Sequence, residues 1–292
     1  MTPIIILPYY SQEEIARYLK IVRRIGQYPK PSTGFRFLLA ASPKTEPDQL
    51  LHSVCAQIAP TYSVKCPTQI FGYPAGPTAM FWDAMDYVAE RWGHEPGFSL
   101  WLESDMVPVN EHWLDRLMLE WCTEKNPLLL GCYVPTVYKR RFLRRSKFML
   151  SEHINGGACY AKNLANILST DVRNGVFDMT VYPAALELGA VIKSRSIAFS
   201  TVQSARRDVL NPNLVLLHGF MQDKQKFVDR CLAPVSAREK LAAPLIPVFN
   251  QFDLLKRQLT VRFFRFGKQA MYENMILTKS KVDKQDESRR AA

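Results

Sequence analysis

From Pro3 to Trp92 the chain alternates short, β-branched apolar runs with longer amphipathic ones, and nothing else in it constrains the fold so strongly. Pro3-Ile-Ile-Ile-Leu7 has the length and composition of a strand, and Pro8-Tyr9-Tyr10 stops it before a helical pattern over 11–26. Ser11, followed three residues later by Glu14, reads as a capping box. A second run spans Phe35 to Ala41, Ser42-Pro-Lys-Thr45 turns the chain, and 47–58 reads as another amphipathic helix. A third strand is expected over 62–70, then the turn-rich Gly72-Tyr-Pro-Ala-Gly76-Pro77 and a helix over 78–92. Strand, helix, strand, helix predicts a parallel sheet covered by helices, with ligands outside the carboxyl ends of the strands.

Composition narrows the class. A chain of 292 residues, 47% apolar, suffices for one large α/β unit with a tail. Six cysteines without any Cys-x-x-Cys pair argue against a zinc site and a disulfide framework, and suit reduced thiols in a cytosol. The first residues lack the positive n-region of a signal peptide, and no run approaches the roughly 18 apolar residues of a membrane span. A formal net charge of +11 favours anionic partners: nucleotides, phosphorylated acceptors, nucleic acid or an acidic membrane face.

The next apolar run, from Phe98 to Pro108, ends in Glu103-Ser104-Asp105. On a strand these acids, two apart, would point the same way and could share a divalent cation through hard oxygen ligands. The bland alternative is two solvated acids ahead of a helix over 111–120 with Asn110 as its N-cap. That helix places Trp113, Leu114, Leu117, Met118 and Trp121 at core spacing. A strand over 127–134 leads to the basic Lys139-Arg-Arg-Phe-Leu-Arg-Arg-Ser-Lys147, read as a solvated face or a mobile loop meeting an anionic acceptor or membrane. Asn155-Gly156-Gly157 follows, where paired glycines let backbone approach a ligand or form a β-bulge. After a helix near 164–169, Asp178 stands at the start of another helix running to Leu188, where capping alone also favours an acid. Two more strands, over 191–199 and 213–217, come next, and His218-Gly219 ends the second, with Lys224 close behind.

The order of these pieces, from Pro3 to Lys226, resembles the GT-A glycosyltransferases, which move a sugar from a nucleotide diphosphate to an acceptor. The resemblance implies an α/β, Rossmann-like fold with a mixed, mostly parallel sheet flanked by helices. It implies that Glu103-Ser104-Asp105 stands where that family has its Asp-x-Asp motif, and that Glu103, Asp105 and His218 hold Mn2+ or Mg2+, Asp105 being the firmer ligand of the pair. Asn155, Gly156 and Gly157 would line the donor-sugar and acceptor pocket, with Ser104 and Lys224 also in the donor site. Pro8 and Tyr9 would contact the nucleoside, Tyr9 by stacking on the base, and Asp178 would be the base of an inverting transfer. Departures from the pattern are Glu for the first Asp of the motif and a second strand ending in Ala41-Ser42-Pro43-Lys44 without an acid.

The expected activity is therefore metal-dependent transfer from a nucleotide-sugar, a UDP-sugar by preference, to a glycan or lipid-linked acceptor. A nucleotidyltransferase would share sheet and metal but should carry a Gly-rich loop after the first strand, unlike Pro8-Tyr9-Tyr10; a silent nucleotide- or glycan-binding module would not depend on metal. Residues 1–240 are expected to form the catalytic domain. Residues 241–278 form a basic, aromatic extension, either a helix packed on the core or a segment on a membrane interface, and 279–292 a polar tail. No RNA-binding signature is present, so nucleic acid is not an expected partner. The expected location is cytoplasmic, with peripheral attachment to the inner face of a membrane as a further expectation.

Overall fold

The structure, a computed structural model, describes residues 1–142, 145–219, 223–236 and 239, with backbone alone over 135–152. All of these lie in the unit Met1–Lys240. The extension 241–278 and the tail 279–292, with their membrane and packing alternatives, lie outside the described residues.

The early alternation is realised as β1 (Ile4–Tyr9), α1 (Gln12–Gln27), β2 (Arg36–Ala41), α2 (Gln49–Ala56), β3 (Thr61–Lys65) and α3 (Ala75–Trp92). β1 lies between β2 and β4 (Phe98–Trp101) and is parallel to both. Covered on both faces, it has Ile4, Ile5, Ile6 and Leu7 fully buried, which is why its sequence is continuously apolar instead of alternating. α1 turns Ile15, Tyr18, Ile21, Val22 and Ile25 inward. Its Ser11 cap accepts from the Glu14 N–H, but the Glu14 carboxylate reaches back to the Tyr10 N–H (2.8 Å), one residue beyond the usual partner of a capping box. The Tyr18 hydroxyl lies 2.9 Å from the Pro8 carbonyl and 2.8 Å from that of Leu102, tying together the carboxyl ends of β1 and β4.

Further along come β5 (Met106–Pro108), α4 (Trp113–Trp121), β6 (Leu129–Phe142), β7 (Arg145–Ala161), α5 (Leu164–Ile167), a 3-10 turn (Thr170–Asn174) and α6 (Phe177–Glu187). β8 (Val191–Lys193), β9 (Ile197–Ser200), α7 (Ala205–Val209), β10 (Leu216–Gly219) and α8 (Lys224–Leu232) complete the described elements. The main sheet has seven strands in the order β3-β2-β1-β4-β7-β6-β8. Its first four are parallel, β7 is antiparallel to both β4 and β6, and β8 is parallel to β6. A second sheet, β5-β10-β9, begins where the chain leaves β4.

Four expectations change. The third strand stops at Lys65, because Pro67 has no N–H to extend the ladder and Thr68 turns away to bond Asp83 instead. α4 starts at Trp113, and Asn110 accepts the His112 N–H (2.9 Å) in a turn ahead of it. In the basic run 139–147, the described residues 139–142 and 145–147 form not a loop but the facing arms of the β6–β7 hairpin, with Lys139 opposite Phe148 and Arg140 opposite Lys147. The helix near 164–169 is the single turn α5. No helix among the described residues is long and apolar enough to cross a membrane.

Candidate active site

Glu103 and Asp105 do not share a strand face. β4 ends at Trp101, and the two acids sit in the turn that carries the chain from the main sheet to β5. Two backbone bonds fix that turn, Met106 N–H to the Glu103 carbonyl (2.8 Å) and Gly219 N–H to the Asp105 carbonyl (2.9 Å). The second bond, with the pairing of His218 opposite Met106, delivers the histidine from β10 to the acids. His218 Nε2 stands 3.3 Å from Glu103 Oε2 and 3.6 Å from Asp105 Oδ1, and one ligand atom from each residue lies within 4.8 Å of the others.

Ligands about 2.0–2.6 Å from one cation can be at most roughly 5 Å apart, so the three atoms fit a common ion. Two carboxylates and one imidazole are a donor set that a divalent cation accepts. The clearest sign of fit is Asp105 Oδ1, which is buried and makes no hydrogen bond. Around it, protons and Lys224 now balance the negative charge. Burial opposes a charged imidazole at His218, but Glu103 and then Asp105 overcome this and raise its pKa. Burial likewise opposes the Asp105 carboxylate, while His218 and Lys224 hold its pKa below the usual range. A cation would displace the imidazole proton.

The glycine pair explains how these groups come so close to β7. Gly131 pairs with Ala158 and Tyr133 with Ile154, so Asn155, Gly156 and Gly157 bulge opposite Cys132. A Cβ on Gly157 would stand 2.2 Å from Met106 Sδ and 3.1 Å from His218 Nδ1. One on Gly156 would stand 2.6 Å from Phe177 Cζ and 2.9 Å from Glu103 Oε1. Bulge and close approach thus occur together, the backbone of β7 making room for the cluster. Asn155 is half-buried in the same bulge.

Basic groups flank the acids. Lys224, the first residue of α8, places Nζ 3.1 Å from Asp105 Oδ2 with about half its side chain exposed. Ser104 is buried, and its Oγ accepts from Nε and Nη2 of Arg17 at 3.2 and 3.1 Å. Arg17 was not among the residues expected here. Its signal was available: with Glu14 it is a charged residue on the buried face of α1.

Asp178 lies in the first turn of α6, as the sequence predicts, directly after Phe177. Phe177 stacks on Phe81 (centroids 4.2 Å apart) and packs over Gly156 beside Glu103, bringing the start of α6 to the acid cluster. Burial raises the Asp178 pKa, tempered by His153 and by the first N–H groups of the helix. His153, on β7 and 8% exposed, was also missed; burial lowers its pKa while Asp178 pulls the other way.

One assignment needs correcting. Tyr9 is fully buried, and its hydroxyl accepts the Asp48 N–H (3.0 Å), so its ring has no face to offer a base. Its neighbour Tyr10, 63% exposed, is the aromatic at that strand end which faces solvent, and Pro8 is half-buried. Burial pushes the thiols of Cys55, Cys66 and Cys231 up to about 12, which leaves them inert as nucleophiles.

No protein-family model and no curated protein sequence matches the chain. Solved structures match in shape. The apo structure of the bifunctional glycosyltransferase WbbM superposes with a TM-score of 0.50 and 6% identity, over 83% of this chain and 51% of that one. A glycosyltransferase involved in glycosylation of the major capsid of PBCV-1 gives a TM-score of 0.45 and 12% identity, over 80% and 100% of the two chains. 4-Diphosphocytidyl-2C-methyl-D-erythritol synthase gives 0.46 and 13%, over 79% and 97%. At these identities the likeness is one of fold alone, an α/β, Rossmann-like fold of the GT-A type.

Proposed function

We propose that this chain is a glycosyltransferase that takes a nucleotide-sugar, by preference a UDP-sugar, and transfers the sugar to a hydroxyl of a glycan or lipid-linked acceptor with inversion. The observation that carries this is the meeting of Glu103 and Asp105, from the β4–β5 turn, with His218, from β10, around a buried carboxylate oxygen that makes no hydrogen bond. Those three residues would hold Mn2+ or Mg2+. When bound, the cation supplies positive charge to the diphosphate leaving group.

The chain's own residues divide the remaining work. Lys224, half-exposed and beside Asp105, would meet a phosphate oxygen once a cation takes over the neutralising of the acids. Arg17 steadies the turn through Ser104. The Asn155–Gly157 bulge lets Glu103 and His218 close on β7 and would line the sugar's side of the site, and Asp178 would accept the proton of the acceptor hydroxyl. A carboxylate whose pKa is raised by burial is a better base for that step than a solvated one.

Incubating the full chain with a panel of nucleotide-sugars should release a nucleoside diphosphate only when Mn2+ or Mg2+ is added, and Asp105→Asn should abolish the release. Pyrophosphate released instead from a nucleoside triphosphate and a sugar phosphate would make the protein a nucleotidyltransferase.

A further inference from the structure

Buried polar atoms without a partner are few in folded proteins, and each calls for a reason. Besides Asp105 Oδ1, two of those among the described residues lie on the elements that reach the acid cluster: Nδ1 of His153 and Oδ1 of Asp178. They come from different elements, β7 and α6, and each group feels the other's charge. Burial favours the uncharged imidazole at His153, which then carries one N–H and one lone pair. An anion placed between the two would be repelled by Asp178. An apolar group would leave both atoms unsatisfied. The group that suits them donates one hydrogen bond and accepts another, as a neutral hydroxyl does.

We propose that His153 and Asp178 together form the subsite for the acceptor hydroxyl, Asp178 Oδ1 accepting its proton in a hydrogen bond and His153 donating from Nδ1 to its oxygen. The ligand class is a saccharide or other polyol. This rests on the assignment of Asp178 to the acceptor side and adds His153 as the residue that orients the hydroxyl. A reacting hydroxyl held by one acceptor and one donor has a lone pair aimed away from both, as attack on a sugar carbon beside Glu103 requires.

Imidazole nitrogen NMR on the full chain tests this directly, because the sequence holds only five histidines and His153→Gln identifies the resonance. Glycerol and the methyl glycosides of glucose, galactose and mannose serve as probes, each with Mg2+ and UDP, GDP, CDP or ADP. At least one should shift the His153 Nδ1 resonance in the wild type, and the shift should vanish in Asp178→Ala while the other histidines keep their positions, which reports an intact fold. If no probe moves His153, the two atoms hold a buried water only and the proposal is overturned; an equal shift in Asp178→Ala overturns it too. The same spectra separate this from the proposed activity. A His218 resonance indifferent to Mg2+ and every nucleotide contradicts the metal-nucleotide assignment, whereas a responsive His218 beside a silent His153 contradicts the subsite alone.

Discussion

Asp105 keeps only 4% of its side chain exposed, yet it is held charged by an imidazole and an ammonium group. Removing the proton and bringing a divalent cation exchanges one set of positive charges for another, so the pocket need not rearrange. The tightest steric element is Gly157. Gly157→Ala should cost about 1–3 kcal/mol of stability and weaken Mn2+ binding, because its Cβ drives Met106 and His218 aside. Gly34→Ala, with nothing within 4 Å of its Cβ, serves as the control in urea denaturation. Equal midpoints for the two variants would contradict this account of the bulge. Asp178→Asn should lower kcat by about 10²–10⁴-fold while nucleotide affinity stays near that of the wild type. Near-normal turnover would move the base elsewhere. The glycines were legible as a place of close backbone approach, but what they approach was not, since Met106 and His218 come from distant stretches of chain. Tyr9 was misassigned because a strand-end aromatic looks the same in sequence whether it faces a ligand or the core.

Among elements, the strand–helix alternation was legible because β-branched runs and amphipathic helices differ in period. The point where β4 gives way to β5 was not. An apolar run ending in acids reads as one strand, whereas the chain bends through Glu103–Asp105 into a second sheet whose partner, β10, lies far downstream. At the opposite end of the central strands of the main sheet, Glu95 joins elements that sequence distance also hides. It accepts from Arg36 at the start of β2 (2.7 Å) and from the buried Lys162 just after β7 (2.9 Å). Arg36 first, and then Lys162, depress the Glu95 pKa from about 4.5 to about 2. A carboxylate with a depressed folded-state pKa contributes stability that is fully present above its unfolded value and is lost as pH falls through the folded one. Glu95→Gln should therefore destabilise the protein near neutral pH, by about 1–3 kcal/mol because Lys162 is left without its counter-charge. The gap between variant and wild type should close as pH falls from about 4.5 toward about 2. Urea midpoints measured across that window check it, and a pH-independent gap would contradict the ion-pair account.

Over the whole molecule, the sheet order gathers the carboxyl ends of β1 and β4, the bulge of β7 and the end of β10 on one side, while the Arg36–Glu95–Lys162 group closes the other. The GT-A-type fold thus places the acids of the turn between its two sheets against a histidine from β10, and the net charge of +11 suits an anionic donor. The measurement that tests the central claim most directly is calorimetric titration of nucleoside diphosphates into the full chain with and without Mn2+. At least one should bind about tenfold or more tightly with Mn2+, a difference of about 1.4 kcal/mol or more, and Asp105→Asn should erase the gain. Equal affinity with and without the metal, or a gain that survives Asp105→Asn, would contradict it.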